Sequence, residues 1–430
     1  MRFKKLLIII FLGCCFSFPA VSVSQNVEKI FMPNIKTAQL FAYGNQQGLP
    51  VYTLNSSDRI ELDFDDMEGS VKSYYYTFVL CDYNWVPVNL SAFDYIKGFT
   101  QNRISTYRYS SIALTRYTHY QAILPDRNSA PSKSGNYLLK VFLDGDTTKL
   151  AFTKQMLVLD QKAAVTGEVV QPFSAQLFST HQKLRMSVNI SGINSFSAAQ
   201  QVKVVILQNN RWDNAQKGIP PTFVRGNVLE YNSENIAIFP AGKEWRWLDL
   251  RSFRLQTDRV ENATYHKDAT DIYVKTDIDR NGQRYLYFPD YNGMYKIVSY
   301  ESINPFWQGD YATVHFSFAT ADGKPYPKKD LYLAGYFTGY ELSDTWKMNF
   351  NEVTGRYETS TMMKQGYYNY TYLCTDRDDL SKKTDLEGNY WETENSYTIL
   401  VYYKSFTDRY DQLIGVGSIN SRNDRPGFSF

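Results

Sequence analysis

The chain has 430 residues, more than one ordinary core accommodates, since domains usually hold roughly 100–200 residues. Its 46 Lys+Arg against 44 Asp+Glu exclude the basic footprint of a nucleic-acid binder and the acidic tail of a solvating segment. Aromatic residues make up 16%, with 35 Tyr and 27 Phe, which favour pleated, half-buried surfaces and, for Tyr, contacts that need an apolar body with a polar tip.

Arg2, Lys4 and Lys5 precede the apolar run Leu6 to Phe16. That run has the length of an export-signal core and is too short for a bilayer-spanning helix. Small residues at Ala20, Ser22 and Ser24 offer cleavage sites, so residues 1–24 read as a signal peptide. Gly13-Cys14 offers a lipid-attachment junction instead, but without the polar linker a mature lipoprotein carries. No later stretch has the length and apolarity of a membrane helix. Cleavage after Cys15 leaves Cys81 and Cys374, too few for a disulfide framework and read as buried small hydrophobes.

Beyond the leader, helical periodicity is almost absent. Short alternating runs bounded by Gly, Asn, Asp and Pro recur, which predicts an all-β chain of tandem immunoglobulin-like β-sandwich domains. A first sandwich is expected over 25–160. Ile60-Glu61-Leu62-Asp63-Phe64 alternates with its apolar residues on one face. Tyr137–Leu143 and Leu150–Leu159 flank Asp144-Gly145, a hairpin signal because Gly accepts positive φ. A second sandwich is expected over 161–284, with strands at Leu184–Ile190 and Gln201–Leu207 and turns at Pro220-Pro221 and Pro240-Ala241-Gly242. Glu244-Trp245-Arg246-Trp247 places two Trp on one strand face, as core. A third is expected over 285–430, with strands near Ala312–Phe318, Leu331–Phe337, Tyr357–Thr361, Tyr367–Leu373 and Tyr397–Tyr403. Tyr285–Tyr300 fits either neighbour, so that boundary is loose.

Few constellations suggest chemistry. Asp277-Ile278-Asp279-Arg280-Asn281-Gly282 imitates the first half of a calcium loop, but Phe288 stands where a bidentate Glu belongs. A hydrated β-turn is the better reading. Asp63, Asp65 and Asp66 lie together at a strand end and read as solvated turn carboxylates. The histidines 119, 181, 266 and 315 are scattered, none with metal-ligand spacing. No nucleophile elbow, phosphate loop or dinucleotide fingerprint occurs, so the expectation is a non-enzyme without cofactor or metal.

In the last third, Leu331 to Tyr340 leads to Trp346-Lys347-Met348, and Lys364-Gln365-Gly366-Tyr367-Tyr368-Asn369-Tyr370 follows. This order resembles immunoglobulin-like modules of starch- and glycogen-active proteins, whose exposed aromatics stack on sugars. The plainer reading is that these aromatics build the sandwich, because fold alone does not give function.

A broader resemblance rests on Cys81-Asp82-Tyr83-Asn84-Trp85, Tyr95-Ile96-Lys97-Gly98-Phe99, Tyr117-Thr118-His119-Tyr120 and Ser134-Gly135-Asn136-Tyr137. It continues in Lys364–Tyr370, Thr393-Glu394-Asn395-Ser396-Tyr397 and Val401-Tyr402-Tyr403. In their joint order these segments resemble the plug protein family of the type IX secretion system. The resemblance implies a periplasmic protein at the inner face of the outer membrane, monomeric by itself, that docks on the giant translocon barrel and seals its periplasmic opening. It implies no chemistry, and membrane contact only through the barrel. Reversible docking wants Tyr, Trp and Arg anchors within a polar rim. The candidate anchors in this aromatic- and arginine-dense region are Trp85, Tyr95, Phe99, Tyr107, Arg108 and Arg116; the alternative for each is a core aromatic or an ordinary surface arginine. Two other readings are an exported glycan-binding protein using the third domain and an envelope scaffold without a gating role.

Overall fold

Short runs rich in Tyr, Val, Ile and Thr form strands throughout residues 27–425, the range described by the computed structural model. The expected leader, with Cys14, lies outside the described residues. The first sandwich holds β1 (Ile35–Ala42), β2 (Ile60–Asp66), β3 (Tyr74–Cys81), β4 (Thr106–Tyr109), β5 (Thr118–Leu124), β6 (Gly135–Leu143) and β7 (Leu150–Leu159). One sheet runs β7-β6-β3 between short edge strands, and the other runs β1-β2-β5-β4. The β6-β7 hairpin forms where Asp144-Gly145 predicts it, and both residues take positive φ. Ile60, Leu62 and Phe64 point inward against Tyr74, Tyr76 and Phe78 of the facing sheet. Phe64 sits at the centre, with Tyr74, Tyr120 and Phe152 ring centroids 5.0, 5.1 and 5.0 Å away. Each such buried aromatic contributes roughly 1.5–3 kcal/mol through apolar burial.

The second sandwich begins with β8 (Ala164–Val170), β9 (His181–Asn189), β10 (Val202–Gln208) and β11 (Val228–Tyr231). The chain then builds the third sandwich from β12 (Arg246–Asp249), β13 (Val260–Tyr265), β14 (Thr270–Val274), β15 (Tyr311–Ala319), β16 (Lys329–Ala334), β17 (Lys347–Asn351), β18 (Arg356–Lys364) and β19 (Gly366–Asp376). Finally β20 (Ser396–Tyr403) and β21 (Gln412–Asn420) return to the second, because β20 pairs with β10 along Val202–Gln208. The linear division at 284 therefore needs correction. Strands β12 to β14 share the core of β15 to β19, while β20 and β21 share the core of β8 to β11. The third sandwich is an insertion whose two crossings lie side by side: Gly242 donates to Asn389 Oδ1 and accepts from Tyr390 N.

The sheet β10-β20-β21 is buried on both faces. Val204, Ile206, Ile399 and Val401 face the second core, and Val205, Leu207, Leu400 and Tyr402 face the first sandwich. That double burial explains why these strands read as continuous apolar runs. Cys81 and Cys374 are buried free thiols, and burial raises the Cys81 thiol to about 12. In the third sandwich Tyr368, Tyr370 and Tyr372 are core residues, and Trp346 lies edge-on to Phe337. Of the tyrosines that suggested sugar stacking, Tyr368 and Tyr370 are thus turned inside, while Tyr336, Tyr340 and Tyr367 are half-buried. Asp277, first residue of the calcium-like loop, is also buried. It accepts from Arg246 Nη1 at 2.6 Å, from Arg259, and from the hydroxyls of Tyr370 and Tyr372 at 2.8 Å each.

Candidate docking surface

The polar side of β2 sets the site's back wall. Alternation that sends Leu62 and Phe64 into the core sends Glu61, Asp63 and Asp65 to the opposite face. That face lies against the third sandwich, not in water. Asp63 and Asp65 are 2% and 1% exposed, so their reading as solvated turn carboxylates is overturned. Asp66 is also buried, accepting from Asn34 Nδ2 at 2.7 Å and from the Tyr74 hydroxyl at 2.9 Å. Burial of a charge demands partners, and the neighbours supply them.

His119, on β5 opposite Asp65, bridges the two carboxylates. Its Nδ1 is 2.8 Å from Asp65 Oδ1 and its Nε2 is 3.1 Å from Asp63 Oδ1. Lys364, at the end of β18, donates to Asp65 Oδ2 at 2.5 Å and to the Phe306 carbonyl. The Tyr311 hydroxyl donates to the same Asp65 oxygen at 2.5 Å. Lys364 Nζ also lies 4.2 Å from the centre of the Tyr117 ring.

Burial pushes the Asp63 carboxyl above its ordinary range. Burial opposes ionisation of Asp65 too, but Lys364 and His119 hold that carboxyl low. Burial alone would lower His119, yet its two carboxylate partners raise it, and burial lowers Lys364. With His119 protonated, two anions meet two cations and the cluster is neutral. Paired in this way, the groups avoid the several kcal/mol that an isolated buried ion costs.

Beside this wall, at the edge of the same sheet, stands β4. It closes its sheet, and all four of its residues are exposed. Tyr107 pairs with Tyr120, Arg108 with His119, and Tyr109 with Thr118. The Tyr107 ring lies 6.1 Å from the rings of both Tyr109 and Tyr120. The loop 110–116 is braced from behind by the short helix Pro305–Gln308 and the residues after it. Ser111 N donates to Trp307 O at 2.9 Å. Asp310 accepts from the amides of Leu114 and Thr115 at 3.0 Å each. The Tyr117 hydroxyl donates to Gly309 O at 2.6 Å. Ile112 and Leu114 remain at the tip, 74% and 55% exposed. Ile112 holds φ at +60°, a conformation β-branched residues avoid.

The six candidate anchors separate. Phe99, Tyr107, Arg108 and Arg116 are exposed. Among the described residues, no hydrogen bond or ion pair engages the side chains of Arg108 and Arg116. Phe99 follows the short strand Ile96–Gly98, whose last residue pairs with Ser129 at φ +93°, where any Cβ would strike the Asn128 carbonyl. Trp85 and Tyr95 are each 6% exposed and are corrected to packing residues. Asp82 Oδ1 accepts from the amides of Asn84 and Val86, closing a turn that folds Trp85 back onto Trp212 at 4.9 Å. Tyr95 follows the 3₁₀ turn Ala92–Asp94 and packs edge-on to Tyr137 at 6.0 Å. Trp85, Trp212 and Tyr340 instead help line a cleft of about 1070 Å³ where the three sandwiches meet. The bracing residues Phe306, Asp310, Tyr311 and Lys364 were not legible as site residues; the only local hint is Asn304-Pro305, a helix-start pattern.

Residues 35–160 match the family model described as the type 9 secretion system plug protein 1st domain. The crystal structure of a hypothetical protein from Parabacteroides merdae superimposes on this chain with a TM-score of 0.87. It shares 29% sequence identity, over 91% of this chain and 98% of that one. No curated protein matches this chain.

Proposed function

We propose, from the match of residues 35–160 to the type 9 secretion system plug protein 1st domain, that this protein is a non-enzymatic periplasmic plug. It docks on the periplasmic opening of the outer-membrane translocon barrel and closes it while no cargo passes. The observation that carries this reading is the family match over 35–160, the same segment that displays the exposed rim. The rim supplies what reversible docking asks of a surface: aromatic and arginine anchors with polar surroundings. Tyr107, Arg108 and Arg116 are the anchors at the rim, with Ile112 and Leu114 in the loop between Arg108 and Arg116, and Phe99 is a separate exposed anchor beside Asn128, past the Leu124 end of β5. The action is steric. The neutral buried cluster beside β4 fixes the first sandwich against the third, so that docking of the rim places the whole body across the opening.

Conductance tests the sealing function. The purified barrel, opened in a planar bilayer, should lose conductance when this protein is added on the periplasmic side and regain it on washout. Conductance unaltered by a saturating excess would contradict a plug.

A further inference from the structure

The free edge of β4 offers more than side chains. Ser110 N donates to Tyr117 O, so Ser110 and Tyr117 form a hydrogen-bonded pair. Antiparallel pairs alternate between hydrogen-bonded and non-hydrogen-bonded. In the register of β4 with β5, Arg108 and Thr106 therefore point their backbone groups at β5. Tyr107 and Tyr109 point theirs away, leaving two N–H and two C=O groups along the open side. Such a row is a template for another strand, and proteins normally blunt it with short edges or charge.

Charge here is one-sided. From Tyr95 to Pro125 the chain carries Lys97, Arg103, Arg108 and Arg116 and no Asp or Glu, within a protein of nearly balanced charge. The carboxylates near β4 are already turned to other partners: Asp65 to His119, Lys364 and Tyr311, Asp63 Oδ1 to His119, and Asp310 to backbone amides, while Asp63 Oδ2 is buried without a hydrogen-bond partner among the described residues. Other exposed edges differ. In the second sandwich, Arg225 on the edge strand Phe223–Arg225 pairs with Glu230 at 3.3 Å, and β13 carries Glu261.

We propose that β4 is a strand-addition site for an extended acidic segment of a partner protein, which joins the sheet β1-β2-β5-β4 as its fifth strand. Main-chain bonds to Tyr107 and Tyr109 hold the segment, and carboxylates at alternate positions meet Arg108 and, at the hairpin tip, Arg116. This deepens the plug reading and rests on it only for the partner's identity.

The test uses the full mature chain and a fluorescein-labelled decapeptide of alternating Glu and Val, with a Lys-Val decapeptide as comparison. The acidic peptide should bind and slow hydrogen exchange at the Tyr107 and Tyr109 amides. Tyr109→Pro removes one outward N–H while sparing the β4-β5 ladder, and Arg108→Glu/Arg116→Glu reverses the charge. Each should weaken binding about tenfold or more with unaltered circular dichroism. Absence of protection at Tyr107 and Tyr109, or equal binding of the Lys-Val peptide, would overturn the proposal. Capture of the barrel separates the two readings. If wild type and the folded Tyr109→Pro variant capture it equally, strand addition is wrong and the plug reading stands. If wild type captures no barrel, the plug reading fails, and strand addition is judged on the peptide and exchange results alone.

Discussion

The first sandwich is gripped on two flanks by different physics. The sheet β7-β6-β3 meets the second sandwich through Cys81, Leu157 and Leu159 against Val205, Leu207, Leu400, Tyr402 and Leu413. The sheet β1-β2-β5-β4 meets the third through Asp63, Asp65 and His119 against Lys364 and Tyr311. The apolar contacts of the first flank are non-directional and carry no titrating group of their own, although a Tyr402–Asn136 hydrogen bond and a Lys203–Asp411 ion pair sit beside them. The ionic flank accepts one arrangement, because each charge is tolerated only while its partner is present. The contrast assigns adhesion to the first flank and orientation to the second, and it is the oriented flank that carries the rim.

The largest effect should come from leaving one ion of the cluster alone. Lys364→Met should cost about 3–5 kcal/mol in chemical denaturation, and adding Asp65→Leu should restore much of it. A double variant no more stable than the single one would show that the pair is not the unit. On the apolar flank, Leu400→Ala should cost about 3 kcal/mol, equally at pH 5.5 and 8. A loss that changes with pH would blur the contrast between the flanks.

His119→Gln is the next smaller change, about 2 kcal/mol, as for a buried hydrogen bond to a charged group. Its sign with pH follows from the raised folded pKa of His119. A proton-stabilised imidazole contributes fully below the ordinary value of 6.5, and that contribution is lost as pH rises through the folded value. The gap between wild type and His119→Gln should therefore narrow on the alkaline side, and a gap that widens there would reverse the charge assignment. Smallest of all, Arg108→Ala and Arg116→Ala should alter stability by less than about 0.5 kcal/mol, since neither side chain is engaged in the fold.

Much of the first sandwich was legible. The alternation of Ile60, Leu62 and Phe64 and the Asp144-Gly145 turn are local signals, and both describe what forms. What escaped depends on distant partners. Asp65 read as solvated because Tyr311 and Lys364 lie 246 and 299 residues further along the chain. The split second sandwich escaped for the same reason, since nothing near Val202–Gln208 announces pairing with Tyr397–Tyr403. At the rim, residue type marked the region but not the exposure. Trp85 and Phe99 are both large aromatics, but Trp85 sits in a turn closed by Asp82 that folds it onto Trp212, whereas Phe99 follows the strand Ile96–Gly98 and is exposed.

The central claim, that the rim of the first sandwich docks this protein on the translocon barrel, is tested most directly by affinity capture from membranes solubilised in mild detergent, with partners identified by mass spectrometry. The tagged wild type should recover the barrel in near-stoichiometric amount, and a folded Arg108→Glu/Arg116→Glu variant should lose it. Recovery without the barrel from a preparation in which the barrel is intact would contradict the account. So would equal recovery by the two proteins.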